Sequence, residues 1–249
     1  MSTRRTIFFD AAGTLFGLPF GVGFHYAHIA EEHGAVPSQS HLLDPVFLDK
    51  RFHEVFEAAS PMIFPGIAPN ALAQAEKSWW HNVVQTVFEG VTFPSFDTFF
   101  EALYGFFAKG KRNGEGNGPW SLFPDAEASL EHLSELGHPL GIISNFDSRL
   151  ELILKSLNIF WFFKTVTISS QEGFEKPSCE IFQRALAKAA CAPQDAIYIG
   201  DRPDKDIDGA RSAGILGVLI DRDGLYPPSK GPASSGYRIR NLQEIDLYL

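Results

Sequence analysis

Cysteine is scarce in this chain: two residues in 249, Cys179 and Cys191, with no metal-ligand spacing around either. That excludes a disulfide-stapled scaffold and a zinc knuckle, and two reduced thiols in a cytoplasmic protein are the expected state. Basic residues are also few. Lys and Arg total 21 against 30 Asp and Glu, a formal charge of −9. A surface of that sign repels phosphate backbones and anionic headgroups, so no nucleic acid or membrane partner is expected. No apolar run reaches the ~20 residues of a membrane span, and no signal-peptide core follows Met1-Ser2-Thr3-Arg4-Arg5. Internal repeats are missing as well. What is abundant is phenylalanine, at 23 residues, many of them between positions 8 and 107. The 45% hydrophobic and 20% charged content is that of a soluble globular enzyme, and the length fits one large α/β domain or a core domain with a smaller attachment.

Thr6-Ile7-Phe8-Phe9 is a short β-rich run that breaks at Asp10 into Ala11-Ala12-Gly13-Thr14, which reads as a buried strand entering a loop. From about Gly21 to Phe107 the apolar spacing turns helical. Val22, Tyr26 and Ile29 mark one helix, ended by Gly34; Phe47, Phe52 and Phe56 mark a second, closed by Ser60-Pro61. Leu72, Trp79-Trp80 and Val87 mark a third, ended by Gly90, and Phe96, Phe99-Phe100 and Phe106-Phe107 a fourth. The glycine-rich stretch Lys109 to Pro119 reads as a linker or mobile loop. Beyond Leu122, helices over 125–136, 149–157, 179–190 and 207–213 alternate with strands over 139–143, 165–168, 196–199 and 216–220. Such alternation predicts an α/β fold, a doubly wound parallel sheet covered on both faces. The expected division is a core of residues 1–17 and 119–249, interrupted by an inserted all-helical module over 18–118.

In parallel sheets the ligand sits at the carboxyl ends of the strands, so the residues after each strand carry the information. They are Asp10; Ser144-Asn145; Glu175-Lys176-Pro177; and Gly200-Asp201 with Asp204 and Asp206 close behind. Carboxylates, a hydroxyl, an amide and a lysine on one rim would handle a divalent metal and an anion together. Asp147 reads instead as the N-cap of the helix that follows.

Asp10-Ala11-Ala12-Gly13-Thr14-Leu15, Ser144-Asn145, Lys176-Pro177 and Gly200-Asp201 with Asp206 resemble the four ordered motifs of the haloacid dehalogenase-like hydrolase superfamily. The resemblance covers residues 4 to 225, and four motifs in order at four strand ends are far more specific than any one of them. The helical module resembles that family's helical cap, and Trp79-Trp80 with Ile143-Ser144-Asn145-Phe146-Asp147 are most similar to the branch called haloacid dehalogenase-like hydrolase domain-containing proteins. The resemblance implies a Rossmann-like core and a phosphatase-type hydrolase acting on a small phosphorylated metabolite. Asp10 would be the covalent nucleophile, and Mg²⁺ would be held by Asp10, the backbone carbonyl of Ala12, Asp201 and, from further out, Asp206. Lys176 would hold the nucleophile by charge, with Ser144 and the Asn145 amide as hydrogen-bond donors. Substrate identity and oligomeric state stay open.

Ala12 departs from the family pattern. The phosphatases usually carry a second Asp there as general acid, and alanine holds no proton. A positioned acid contributes ~10²–10⁴ in rate, roughly 3–5 kcal/mol of barrier. The metal ligand at this place is a backbone carbonyl, so metal binding should survive the change. Three outcomes are expected: hydrolysis of acyl or aryl phosphates, whose leaving groups need no proton; cleavage of a C–P or C–halogen bond; or an acid supplied by the cap, with His25 and Glu31 as candidates. A weakly active phospho-ligand-binding protein is the alternative to an enzyme. No lysine stands in the first cap helix and only Lys50, Lys77, Lys109 and Lys111 nearby, which argues against the Schiff-base route. Phe16, Phe20 and Phe24 are candidates to line the substrate slot, and Gly17, Gly21 and Gly114–Gly118 are candidate flexing points.

Overall fold

The computed structural model describes residues 4–112, 115–226 and 237–249. Among the described residues six strands form the central sheet: β1 (Thr6–Phe9), β2 (Leu140–Ser144), β3 (Phe163–Ile168), β4 (Ala196–Gly200), β5 (Leu216–Ile220) and β6 (Tyr237–Ile239). Their spatial order is β6-β5-β4-β1-β2-β3, and every neighbouring pair is parallel. From β1 the chain runs outward through β2 and β3, then returns to place β4 on β1's other side. Phe9 is therefore flanked by Ile142 and Ile199. The reversal of strand order falls between β1 and β4, and a crevice opens beyond the carboxyl ends at such a point.

Alternation of side chains gives each face its own core. Ile7, Phe9, Ile142, Ile197 and Ile199 pack against helices α5 (Ala126–Glu135) and α6 (Arg149–Ser156). Phe8, Ile143 and Tyr198 pack on the opposite face against α7 (Cys179–Lys188) and α8 (Asp208–Ser212). Phe8 and Phe9 are both fully buried, each contributing about 1.5–3 kcal/mol relative to exposure. That double burial explains why β1 reads as an unbroken apolar run rather than an alternating one.

Four helices between β1 and α5 bury a separate apolar cluster: H1 (Gly21–Glu32), H2 (Pro45–Ala58), H3 (Pro69–Val87) and H4 (Phe96–Phe106). H2 starts where Asp44 accepts from the backbone N–H groups of Val46 and Phe47, both at 3.0 Å, ahead of Pro45 at the first helical position. Phenylalanine density has a packing cause: Phe88, Phe93, Phe96 and Phe99 meet in edge-on and stacked pairs with ring centroids 4.3–5.7 Å apart.

The expected free linker over 109–119 is corrected in its described part. Gly110–Lys111 runs parallel to Trp120–Leu122, which pairs antiparallel with Phe16–Gly17. Its glycines permit close approach rather than flexing. A Cβ on Gly118 would stand 2.0 Å from the Lys109 carbonyl oxygen, and one on Gly110 would stand 2.5 Å from Leu157. Gly17 belongs to the same small sheet; Gly114, the start of the expected flexing stretch, lies outside the described residues. Among the described residues no helix is long and apolar enough to cross a membrane.

Candidate active site

Asp10 follows β1 directly, and its N–H donates to the Ile199 carbonyl at 2.8 Å, tying it to the end of β4. The next turn closes through Gly13 N–H to the Phe16 carbonyl and Phe16 N–H to the Ala11 carbonyl, bypassing the Ala12 carbonyl. Gly13 has φ +91°, and a Cβ there would lie 2.5 Å from an Asp201 carboxylate oxygen. Only glycine allows this turn to carry Asp201 against it. Asp10, Asp201 and Asp206 each offer a carboxylate oxygen, all within 4.8 Å of one another. Of the strand-end residues, Asp10, Ser144, Asn145, Lys176, Asp201 and Asp206 do line one cleft, while Asp204 is exposed and pairs with Arg202 outside it.

One ammonium sits among them. Lys176 is 3% exposed. Its Nζ donates to Asp10 Oδ1 at 2.7 Å, Asp206 Oδ1 at 2.6 Å and the Tyr198 hydroxyl at 2.8 Å. Ser144, at the end of β2, donates its hydroxyl to Asp10 Oδ1 at 3.0 Å. The Asn145 side chain plays a different part from a substrate donor. Its side-chain oxygen accepts from the Lys176 N–H at 2.7 Å and its Nδ2 donates to the Lys176 carbonyl at 3.0 Å. The carboxamide thus clamps the backbone that presents the lysine. Asp206 is equally committed: Oδ1 accepts from Lys176 and from the Tyr198 hydroxyl at 2.9 Å, and Oδ2 from the Arg202 N–H at 2.9 Å.

Three carboxylates around one ammonium leave unbalanced negative charge. Burial, then the neighbouring Asp10 and Asp206 charges, push Asp201 up to about 7. Asp10 is also raised, first by burial and then by Asp206, against the opposing pull of Lys176. Burial works to lower the Lys176 ammonium, but the attraction of Asp10 and Asp206 outweighs it and raises the group above its ordinary range. Hard oxygen donors carrying excess negative charge in a buried pocket suit a small divalent cation.

The cleft over these groups has a volume of about 740 Å³. Phe52, Phe56, Met62 and Trp79 form part of its wall, and Arg202 and Lys205 bring cationic groups to it despite the chain's net charge. Ala12 lines it too, and also lines a second, apolar cavity of about 230 Å³. The phenylalanines expected at the slot are elsewhere. Phe16 is fully buried in the core below the sheet end, while Phe20 and Phe24 are 68% and 46% exposed and line neither cavity. Proximity in sequence to Asp10 did not translate into proximity in space, because the chain leaves β1 through the small sheet before H1 begins.

Neither candidate for a substitute acid faces the cleft. His25 turns its ring to Phe24, Phe106 and Phe107, its Nε2 has no partner among the described residues, and burial lowers its pKa. Glu31 is exposed and lines neither cavity. Lys50, Lys77, Lys109 and Lys111 line neither cavity either. The expected N-cap is corrected by one residue: Ser148 holds the cap position of α6, and Asp147, just before it, accepts from the Arg149 N–H at 2.8 Å. Asp147 is also fully buried, paired with the Arg149 guanidinium and accepting from Trp80 Nε1 of H3. Glu76, also on H3 and 1% exposed, accepts from Ser148 N–H, Ser148 Oγ and Ser170 Oγ, so H3 is fastened to the loop after β2 at two points.

Tyr198 is the site residue that sequence reasoning missed. A phenol inside the otherwise aliphatic buried strand Ala196–Gly200 was itself a signal, since a buried hydroxyl demands a partner.

A family model described as haloacid dehalogenase-like hydrolase matches residues 4–214. Haloacid dehalogenase-like hydrolase domain-containing protein 3 of Danio rerio is 29% identical over 224 residues, covering 88% of this chain and 85% of that protein. A phosphoserine phosphatase of Thermus thermophilus is 36% identical over 129 residues, 51% of each chain. The crystal structure of the HAD-hydrolase YfnB from Bacillus subtilis bound to magnesium superposes with a TM-score of 0.66 at 20% identity, covering 98% of this chain and 97% of that one. A family match running from the first strand to the helix after Asp201, on a sheet whose motif residues meet at one rim, makes the chain a member of the haloacid dehalogenase-like hydrolases.

Proposed function

We propose that the chain is a Mg²⁺-dependent phosphohydrolase that acts on a small phosphorylated molecule through an aspartyl intermediate on Asp10. The observation that carries this reading is the approach of the Asp10, Asp201 and Asp206 carboxylates to within 4.8 Å around a single buried lysine. Asp10, the Ala12 carbonyl and Asp201 would hold the ion, with Asp206 supporting from behind. When bound, Mg²⁺ neutralises the repulsion between Asp10 and an anionic substrate and draws charge from the phosphoryl oxygens.

The chain's own groups do the rest. Lys176 fixes the Asp10 carboxylate at 2.7 Å and keeps it ionised for attack on phosphorus. Without substrate the single Ser144 hydroxyl proton goes to that same oxygen; with substrate bound it turns to the phosphoryl group, beside the Asn145 backbone amide. The Asn145 carboxamide, Tyr198 and Asp206 act through Lys176: they set its position and do not touch substrate. Residues 18–118 serve as a cap over a core of 1–17 and 119–249, closing the cleft against water during the life of the intermediate. The phosphatase activity in the name of the Thermus relative and the magnesium bound in the YfnB crystal structure agree with this reading.

The test is turnover of acetyl phosphate with and without Mg²⁺, beside an Asp10→Asn control. Magnesium-dependent release of phosphate that vanishes in the variant is expected. Release that persists in Asp10→Asn would overturn the nucleophile assignment.

A further inference from the structure

The apolar cavity shares Ala12, Phe52, Phe56, Met62 and Asn145 with the cleft and so adjoins it across the residue that lacks a proton donor. Its walls include Phe100, Phe107 and Trp120. Its one charged lining residue is Arg149, and that guanidinium is not free to bind an anion. Arg149 Nη2 and Nε donate to Asp147 at 2.6 and 3.0 Å, and the group lies 4.0 Å from the centre of the Tyr104 ring. The Asn145 carboxamide is spent on the Lys176 backbone. Tyr26 and Tyr104 also line it, so one polar substituent on a ring can find a hydroxyl partner, but a second phosphate or a carboxylate would lose its water with no free cation among the described lining residues to offset it. An engineered apolar cavity of about 150 Å³ takes benzene, so about 230 Å³ here admits a larger ring.

Resting on the phosphohydrolase reading, we infer that this cavity receives the leaving group and that the substrate class is the phosphate monoester of a phenol-like aromatic alcohol. Two independent features agree on it. The cavity selects an aromatic group by its walls. Alanine at position 12 selects a leaving oxygen that departs without a proton, and a phenol with a pKa of about 10 does so far more readily than an aliphatic alcohol near water's value of about 16. Asp10 Oδ attacks phosphorus as the bond from phosphorus to the aryl oxygen breaks, and its electron pair leaves on that oxygen. The aryloxide takes its proton from water. A second water then attacks phosphorus, the bond to Asp10 breaks, and inorganic phosphate leaves with the carboxylate restored.

The experiment compares kcat/KM for 1-naphthyl phosphate, phenyl phosphate, O-phospho-L-serine and acetyl phosphate in the intact chain with Mg²⁺. 1-Naphthyl phosphate should exceed phenyl phosphate by about tenfold or more, the scale of filling an apolar pocket, and phenyl phosphate should exceed phosphoserine by a wider margin. Val84→Trp, which fills the cavity from H3, should bring the naphthyl-to-phenyl ratio to near one; within-protein ratios cancel any general loss of folded protein. Acetyl phosphate has no ring and needs no acid. If it is turned over while naphthyl and phenyl phosphates are equal in the native chain, the substrate inference fails and the phosphohydrolase reading stands. If acetyl phosphate is also inert, both fail.

Discussion

Replacing Lys176 with methionine removes one charge from the middle of the site while keeping most of the side chain's bulk. The ammonium it deletes is held at 2.7 Å from Asp10, 2.6 Å from Asp206 and 2.8 Å from the Tyr198 hydroxyl, with 3% of the residue exposed. Breaking a buried pair leaves a charge uncompensated and costs about 3–5 kcal/mol. Two carboxylates lose their partner here, yet the loss does not double, because Asp10, already raised by burial, can take up a proton once the lysine is gone. In a chain of this size 1 kcal/mol moves Tm by ~2–4 °C, so a fall of roughly 6–20 °C is expected. Lys155→Met is the control: that lysine faces Glu151 at 3.6 Å with the two side chains 45% and 40% exposed, and such a surface pair contributes about 0–1 kcal/mol. The fall at Lys176 should be larger near pH 8 than near pH 5, where a protonated Asp10 no longer needs the cation, and Mg²⁺ should restore part of it. Differential scanning fluorimetry reads all three comparisons. Equal Tm shifts for Lys176→Met and Lys155→Met would refute the reasoning from burial.

Two further outcomes follow from the same geometry. Ala12→Asp should raise kcat on alkyl phosphates by about 10²–10⁴, the usual worth of a positioned acid, and change acetyl phosphate turnover little; steady-state kinetics on both substrates decide it. Burial, with Asp10 and Asp206 adding to it, raises Asp201 from 3.8 to about 7, so in that window the folded chain binds a proton the unfolded chain does not. The stability this contributes is present at low pH and is lost as pH rises through about 7. Without divalent metal, Tm should fall from about pH 5 to about pH 8, the fall should be smaller in Asp201→Asn, and added Mg²⁺ should stabilise the native chain more at the upper end. A magnesium-induced gain in Tm that is independent of pH would contradict it.

Much of this was legible in the sequence because its signals are local. β1, β4 and β5 are dense aliphatic and aromatic runs, and helix spacing in the Phe-rich segment gave H1 to H4 to within a few residues. The strand-end rule expects Asp10, Ser144, Lys176 and Asp201 on one rim. What escaped depends on contacts distant in sequence or on elements too short to show a period. β6 is three residues with Arg238 at its centre, an edge strand that alternation cannot register. The small sheet of Phe16–Gly17, Gly110–Lys111 and Trp120–Leu122 is held by close backbone approach, and its glycines mimic a linker. The Asn145 clamp spans 31 residues, and nothing near Asn145 foretells it. The cavity's walls come from H1 through H4, so sequence neighbours of Asp10 were poor guides to its lining.

Everything proposed for the chemistry depends on Asp10 carrying the phosphoryl group in turn. Acid-quenching the chain during turnover of acetyl phosphate with Mg²⁺, then digesting it and weighing the peptides, tests this most directly. One added phosphoryl group is expected on the peptide containing Asp10, sensitive to mild base, and none in Asp10→Asn. Sustained phosphate release with that peptide unmodified, or a phosphoryl group found on another residue, would contradict it.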